Sequence, residues 1–306
     1  MTDNETKHGS MPAADEPTTT VVTGGTGGIG RAVAVALAAL GHRVIIVGRS
    51  TTRAEAVLSQ LETLAPGRGH EFVAADLSSV AETAAATDRI AATVRRLDSL
   101  VLCAGVLSVV TETTEEGLER TFVLNYLSRY LLIRRLLPDL TQAPSGRVVL
   151  VANAGKYRDS LNMDDLQLRG GGRGLQVAGR TQFANDLLAV ELAEQVRDTS
   201  VEVTCVYPGL VATDVFTNAR GVSRAARSVA LTLQRLVGSS PTTAAKMPVF
   251  LAQDPAAIGT NGGFFGPKGR RRIPPRASRR DRRHELWVRS DKLVRPWLTE
   301  ITDQAR

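Results

Sequence analysis

The chain has little cysteine and little histidine, and each shortage excludes a class of protein. Only two of its 306 residues are cysteines and four are histidines. Cys103 and Cys205 both lie in apolar stretches typical of strands, where cysteine behaves as a small buried hydrophobe. The sequence therefore predicts no disulfide framework and no metal site, and cysteines that stay free indicate a cytoplasmic location.

Long apolar runs are also missing. The longest, such as residues 32–40, stay far below the roughly 20 residues that a membrane-spanning helix requires. Residues 1–17 are polar and lack the charged start, apolar centre and cleavage site of a secretory signal, so we expect a disordered tail there. A chain of this length with 43% hydrophobic residues can bury the core of one large domain.

Positive charge is concentrated near the C-terminus. The net charge is +7, and nine basic residues lie between Lys268 and Arg283. Such a run can form a surface for nucleic acid or for an acidic carrier protein. No aromatic residue interleaves with these arginines and no nucleic-acid-binding module is recognisable, so nucleic acid is disfavoured. We predict a solvated, basic surface segment over residues 268–283.

Short runs rich in valine, isoleucine and leucine alternate with amphipathic stretches along most of the chain. The predicted strands are residues 19–23, 43–47, 71–74, 99–103, 146–151, 201–206 and 262–265, and the helical patterns between them include residues 31–40, 52–64, 81–96, 117–137 and 177–196. Strands that are apolar on both faces and separated by helices are typical of a parallel sheet covered on both sides. With right-handed crossovers, this predicts a single α/β domain over residues 18–298, with a doubly wound parallel sheet of the Rossmann type.

A glycine-rich turn follows the first predicted strand and opens the first helix. Residues 23–30 read Thr-Gly-Gly-Thr-Gly-Gly-Ile-Gly. Glycines let the backbone turn tightly and approach a pyrophosphate, whose charge is met by free N–H groups at the helix start. Such a turn alone is weak evidence, but its place between a strand and a helix predicts a dinucleotide site that includes Gly24, Thr26, Gly28 and Ile29.

The end of the second predicted strand bears on which dinucleotide binds. The strand ends Val47-Gly48-Arg49, with no acidic residue to accept hydrogen bonds from a free ribose 2′-hydroxyl. Arg49 instead offers a fork of donors that suits a 2′-phosphate. The sequence therefore favours NADP(H) over NAD(H), and the alternative is that Arg49 is a simple surface charge.

Taken together, these motifs resemble the short-chain dehydrogenase/reductase family over nearly the whole chain. Residues 23–30 match the family's TGxxxGIG pattern, and residues 102–105 keep the Ala-Gly half of its NNAG motif. Residues 161–167 and 285–290 are similar to stretches of the retinol-dehydrogenase-like branch. The resemblance implies further cofactor contacts, from Asp76, Leu77, Ala104, Gly105, Pro208, Gly209 and Thr213.

The residues that carry this family's proton transfer are missing. The family uses a serine, a tyrosine and a lysine four residues after the tyrosine, which places the last two on one helix face. The aligned positions hold Asn153, Ala178 and Gln182, and only the family's asparagine is kept, as Asn125. An alanine cannot transfer a proton, and a neutral glutamine cannot lower a neighbour's pKa by charge.

These observations leave three interpretations open. The first is a non-catalytic subunit that pairs with an active member of the family through the helices at residues 117–137 and 177–196, which family members commonly use as a dimer interface. The chain resembles the inactive partner of such pairs in aminocoumarin (novobiocin-type) antibiotic pathways, which implies interconversion of a β-hydroxy and a β-keto group on a carrier-bound substrate. The second is an NADP(H)-dependent enzyme with unconventional groups, for which Lys156 and Tyr157, in the loop after Asn153, are the best substitutes. The third is a nucleotide-sensing regulatory protein.

Overall fold

The computed structural model describes residues 17–172, 174–211, 219–224, 228, 231, 232, 234 and 238–298. At its centre lies an eight-stranded sheet with the order β3-β2-β1-β4-β5-β6-β7-β8. The strands are β1 Thr19–Thr23, β2 Arg43–Gly48, β3 Glu71–Ala74, β4 Ser99–Leu102, β5 Arg147–Val151, β6 Glu202–Val206, β7 Gly263–Gly266 and β8 Gly269–Arg271. Neighbouring strands pair in parallel, except that β7 and β8 form an antiparallel hairpin.

Helices cover both faces of this sheet. They are α1 Gly28–Ala39, α2 Thr51–Leu64, α3 Val80–Thr93, α4 Arg120–Phe122, α5 Ser128–Thr141, α6 Leu175–Gln195, α7 Pro241–Gln253 and α8 Arg280–Val294. Alternate residues of a strand point to opposite faces, so Val21 belongs to the apolar cluster shared with α3, α5, α6 and α8, whereas Val22 belongs to the cluster shared with α1, α2 and α7. The predicted doubly wound α/β domain is confirmed.

The basic segment at residues 268–283 is folded, with five of its nine basic residues exposed and four partly buried. It begins with β8 at the edge of the sheet and continues into α8. Arg282 and Arg283 each form an ion pair, at 2.8 Å, with a carboxylate from a distant part of the chain. Arg276 donates two hydrogen bonds of 3.0 Å to main-chain oxygens. The prediction of a solvated segment is therefore wrong for these three cations, because their partners lie too far away in sequence to be recognised.

Helix α8 packs across the outer side of α5 and α6. Tyr126 and Ser290 share a hydrogen bond of 2.8 Å between their hydroxyls, and the hydroxyl of Tyr130 donates to Asp291 at 2.5 Å. The ring of Trp287 meets Tyr130 edge-on, with 4.8 Å between the centroids. The helix pair that the sequence suggested as an interface is thus covered by this chain's own C-terminal helix. Binding of a partner subunit stays a prediction, and the outer side of α5 and α6 is not available as its interface.

Two further predictions concern the ends of the chain and membranes. Apart from Pro17, the predicted tail at residues 1–17 lies outside the described residues. Within the part of the chain that the structure describes, no helix combines the length and the apolar character needed to cross a membrane.

Candidate functional site

A cavity of about 290 Å³ lies at the carboxyl ends of β1, β2, β3 and β4. Strand β1 sits between β2 and β4, so this is the point where the strand order reverses, the usual ligand site of an open α/β sheet. Of the residues predicted from the sequence, those lining it are Gly24, Thr26, Arg49, Asp76, Leu77, Ala104 and Gly105. The lining also includes residues that the sequence did not single out, namely Val47, Gly48, Ala75, Val106, Glu112, Arg120, Thr121, Leu124 and Arg220.

The glycine-rich turn leaves the floor of the cavity open to a bulky anion. Gly24 has a φ of +67°, in the left-handed region that glycine tolerates. A Cβ on Gly30 would stand only 2.4 Å from the carbonyl oxygen of Gly24, so only glycine fits there. Gly27 precedes α1 without a side-chain cap, and Gly28 and Ile29 are the first residues of that helix. The N–H groups at the start of α1 therefore remain available for a pyrophosphate, which fits the predicted cofactor.

Two arginines meet one carboxylate at the side of this cavity. Asp76 lies 3.2 Å from Arg120 and 3.9 Å from Arg49. Burial alone would raise the pKa of Asp76, but hydrogen bonds from Ser78 and the charges of the two arginines hold it below its ordinary value. The carboxylate is therefore ionised, and one positive charge of the pair remains to meet an anionic ligand. Arg120 lies 44 residues from Asp76, so no local pattern could reveal it.

The segment around Arg220 closes one side of the cavity. Its side chain forms an ion pair with Glu112. Its main chain pairs with the segment after β4, through hydrogen bonds of 3.1 Å to Leu107 and from Val109. This segment follows directly on residues 212–218, which lie outside the described residues together with the predicted cofactor contact Thr213.

A second cavity of about 640 Å³ lies at the carboxyl end of β6. Tyr207, Pro208 and Gly209 line it together with apolar side chains such as Met247 and Phe250. Pro208 and Gly209 thus line a different cavity from the seven predicted cofactor residues named above. Their contact with a cofactor stays a prediction.

Two of the three positions assigned to proton transfer, Ala178 and Gln182, lie on α6, which is anchored by a buried ion pair. Arg180 and Glu119 pair with side chains only 1% and 2% exposed, and Arg180 also donates to the carbonyl oxygen of Leu166 at 2.6 Å. Two residues earlier, Ala178 is buried and offers only a methyl group. One turn later, the Oε1 atom of Gln182 is enclosed and has no hydrogen-bond partner among the described residues.

The hydrogen bonds of Asn125 hold the wall of the cavity in place. It lies in a π-helical turn, Val123–Leu127, a feature often found at functional sites. Its side-chain oxygen accepts from the N–H of Val106 at 2.9 Å, and its amide donates to the carbonyl oxygen of Val106 at 3.0 Å and to the hydroxyl of Thr181 at 3.2 Å. Its own carbonyl oxygen accepts from Asn185 at 2.9 Å. These bonds tie Val106, a cavity residue, to α6.

The loop after β5 carries Asn153, Lys156 and Tyr157 and is held in an unusual backbone conformation. Asn153, half-buried, accepts from the N–H of Lys156 at 2.9 Å through its carbonyl oxygen. Ala154 is buried with a φ of +32°, a conformation that costs an alanine about 1–3 kcal/mol. The N–H of Gly155 donates to both carboxyl oxygens of Asp186, at 2.9 and 3.0 Å.

Asp186 is a buried acid whose protonation changes near neutral pH. Burial raises its pKa to about 7, against the opposing effects of the Gly155 N–H and of Arg276. Asp186 lies on α6, one and two turns beyond Gln182 and Ala178, so this side of the helix faces the loop after β5. Sequence reasoning missed Asp186, although a lone acid inside an apolar helical run is a usable signal.

Lys156 and Tyr157 point to different neighbours. The exposed Lys156 places its Nζ 4.9 Å from the ring centroid of Tyr207. Tyr157 is half-buried, and its ring lies against α6, where a Cβ on Gly179 would stand 3.1 Å from its Cδ1. Burial, with a smaller effect of Tyr207, raises the pKa of Tyr157. The phenol therefore remains protonated at neutral pH, and its ring packs beside Gly179, the residue that follows Ala178 on the helix.

Comparisons with known proteins identify relatives along nearly the whole chain. The family profile described as short chain dehydrogenase matches residues 18–161. Human dehydrogenase/reductase SDR family member 13 is 33% identical over 279 residues, which cover 90% of this chain and 73% of that protein. Human retinol dehydrogenase 14 is 30% identical over 302 residues, covering 94% and 89%.

Solved structures show the same fold. A short-chain dehydrogenase/reductase from Mycobacterium ulcerans superposes with a TM-score of 0.62 at 25% identity, covering 81% of this chain and 87% of its own. A short chain dehydrogenase from Escherichia coli, solved in complex with NADPH, gives a TM-score of 0.63 at 23% identity, covering 84% and 100%.

Proposed function

Since the chain belongs to the short-chain dehydrogenase/reductase family, we propose that it is an NADP(H)-dependent oxidoreductase that interconverts a carbonyl group and an alcohol. The observation that carries the proposal is the cavity at the switch point of the sheet. Its floor is the glycine-rich turn and the uncapped start of α1, and its side carries Arg49 and Arg120. A bound nicotinamide cofactor supplies the hydride of such a reaction.

In this proposal each part of the cavity binds one part of the cofactor. The N–H groups at the start of α1 bind the pyrophosphate, and Arg49 binds the 2′-phosphate. Arg120, already paired with Asp76, adds positive charge beside it.

The preference for NADPH over NADH tests whether Arg49 binds the 2′-phosphate. Hydrogen bonds to charged groups contribute about 1.5–3 kcal/mol, which corresponds to roughly 10–150-fold in affinity. We expect Arg49→Gln to weaken NADPH binding by at least about 10-fold while NADH binding changes little, measured by quenching of protein fluorescence. The exposed Arg89→Gln is the matched control. An equal loss for both cofactors in Arg49→Gln, or wild-type protein that prefers NADH, contradicts the assignment.

Ala178 and Gln182 favour a second candidate. This is a non-catalytic subunit that supports an active paralogue in a hetero-oligomer, acting on a β-hydroxy or β-keto group of a carrier-bound substrate in antibiotic biosynthesis. Such a partner has to bind elsewhere than the outer side of α5 and α6, since α8 covers it.

Hydride transfer by the purified chain separates the two candidates. The wild-type protein alone is incubated with deuterated NADPH and the activated ketone 2,2,2-trifluoroacetophenone, and deuterium in the alcohol product is measured by mass spectrometry. Deuterium transfer supports the oxidoreductase. No transfer by the chain alone, together with an intact complex with a co-expressed dehydrogenase in native mass spectrometry, supports the non-catalytic subunit.

A further inference from the structure

We propose that Tyr157 is the proton donor of this site and takes the place of the phenol that α6 lacks. The inference rests on the proposed oxidoreductase function. Reduction of a carbonyl requires a proton for the oxygen as well as a hydride for the carbon, and the buried methyl group of Ala178 provides none.

The chain has four tyrosines, and their environments differ. Tyr126 and Tyr130 are fully buried beneath α8, where their hydroxyls bond to Ser290 and Asp291. Tyr207 lies at the end of β6, with the cations of Lys156 and Arg271 at 4.9 and 5.6 Å from its ring centroid. Only Tyr157 packs against α6 beside residue 178, and it retains partial access to solvent.

Gly179 shows that α6 makes room for this ring. A glycine inside a helix costs roughly 0.5–1 kcal/mol relative to alanine. The φ of Gly179 is not in the left-handed region, so backbone geometry does not require glycine there. An alanine would bring its Cβ to 3.1 Å from Cδ1 and 3.4 Å from Cε1 of Tyr157, closer than ordinary carbon contacts. Glycine at position 179 therefore makes α6 less stable than alanine would, but it leaves space for the ring of Tyr157.

The backbone that carries Tyr157 is fixed from three directions. Asp186 accepts both hydrogen bonds from the N–H of Gly155, and Arg276 donates to the carbonyl oxygens of Gly155 and Tyr157, each at 3.0 Å. Pro274 lies so close that a Cβ on Gly155 would meet it at 2.7 Å. A simple connection between β5 and α6 does not require a strained alanine, a buried carboxylate and an arginine to fix its backbone. A proton donor has to be held in a fixed position, and these three features fix the backbone that carries Tyr157.

The reaction step balances without any further reagent. The carbonyl carbon accepts a hydride from the reduced nicotinamide, and the carbonyl oxygen accepts the hydroxyl proton of Tyr157, which yields the alcohol, the oxidised nicotinamide and a phenolate. Lys156 and Arg271 lie over the ring of the neighbouring Tyr207, and neither cation lowers the pKa of Tyr157. Because Tyr157 is half-exposed, water then returns the proton.

A titration that needs no substrate tests the placement of Tyr157. The protein is labelled with tyrosine carrying ¹³C at Cζ, and its four signals are assigned with the four Tyr→Phe variants. The oxidised nicotinamide ring is positively charged and the reduced ring is neutral, so a phenol beside the ring ionises more readily with NADP⁺. We expect the pKa of Tyr157 to be lower with NADP⁺ than with NADPH, while Tyr126 and Tyr130 do not respond. Equal titration of Tyr157 with both cofactors overturns the inference.

Kinetics with 2,2,2-trifluoroacetophenone test the chemical role. We expect Tyr157→Phe to lower kcat by about 100-fold or more while the affinity for NADPH changes little. The pH profile of the variant should lose the limb at which wild-type activity falls as the phenol ionises. Gly179→Ala should lower kcat and alter the Cζ signal of Tyr157, and Tyr130→Phe should leave both unchanged.

The outcomes separate the inference from the proposed function. Wild-type turnover that persists in Tyr157→Phe, or that disappears only in Tyr207→Phe, refutes the assignment of Tyr157 and leaves the oxidoreductase in place. Absence of deuterium transfer by the wild-type protein refutes the oxidoreductase instead.

Discussion

The buried carboxyl of Asp186 gives the protein a pH-dependent stability that one substitution removes. Its pKa is about 7 in the folded chain and 3.8 when the carboxyl is exposed to water, a difference of about 3 at about 1.4 kcal/mol for each pKa unit. Between these values the folded chain holds a proton that the unfolded chain has released, so stability falls as the pH rises. The loss begins above pH 3.8, is complete once the pH passes about 7, and amounts to about 4 kcal/mol.

The assay is urea unfolding of wild-type protein and Asp186→Asn at half-unit steps from pH 5 to pH 8. The amide cannot ionise, but its oxygen can still accept from Gly155, so the variant lacks the pH-dependent part and keeps a bond to the loop. We expect the difference in unfolding free energy between the two proteins to change by about 2–3 kcal/mol across this range, in favour of the variant at high pH.

The exposed Asp198→Asn is the matched control, since its side chain is 88% exposed. It should follow the wild-type curve within about 0.5 kcal/mol. A difference between wild type and Asp186→Asn that stays constant from pH 5 to pH 8 would mean that the carboxyl has the same pKa in both states, and it would refute the reasoning.

Three further predictions concern the ion pair, the loop and the C-terminal helix. Glu119→Gln leaves the charge of Arg180 buried without compensation and should lower the urea-unfolding free energy by about 3–5 kcal/mol, whereas the exposed Glu194→Gln should cost under about 1 kcal/mol. Arg276→Gln should speed amide hydrogen exchange in the loop after β5 by at least about 10-fold without changing exchange in α1, since each lost charge-assisted bond is worth roughly 1.5–3 kcal/mol; unchanged exchange means that Arg276 does not fix the loop. Deleting α8 exposes Tyr126 and Tyr130 and should produce self-association in size-exclusion chromatography with increased binding of a hydrophobic dye, and a monomeric product without dye binding contradicts the covering role.

Most of the sheet and the floor of the cavity could be predicted from the sequence because both are encoded locally. Strand β5, apolar on both faces, and the glycine-rich turn with Gly24 each reveal their structure within a few residues. Strand β8 was not predicted because its three residues include two arginines, and its pairing with β7 depends on the neighbouring edge of the sheet. The positive charges of these arginines favoured a solvated surface segment instead of a strand.

The part of the site that the sequence did not predict depends on contacts between distant segments. Arg120, Asp186 and Arg276 each act on a residue at least 31 positions away. A local pattern cannot report such a partner, since the same arginine or aspartate on an exposed surface looks identical in sequence. The family's motif shows that Ala178 occupies the position of the missing tyrosine. Only the structure shows that another tyrosine, Tyr157, packs against the neighbouring Gly179.

The bonds from Arg276 to the loop after β5 have a consequence for how the protein matures during synthesis. Arg276 is separated from Tyr157 by 119 residues, whereas the glycine-rich turn and Arg120 belong to the first half of the chain. As the chain leaves the ribosome, the segments that form the floor of the cavity emerge and can pair well before Arg276, which fixes the loop after β5, has been made. A nascent chain can therefore form the floor of the cavity long before the loop after β5 reaches its final geometry.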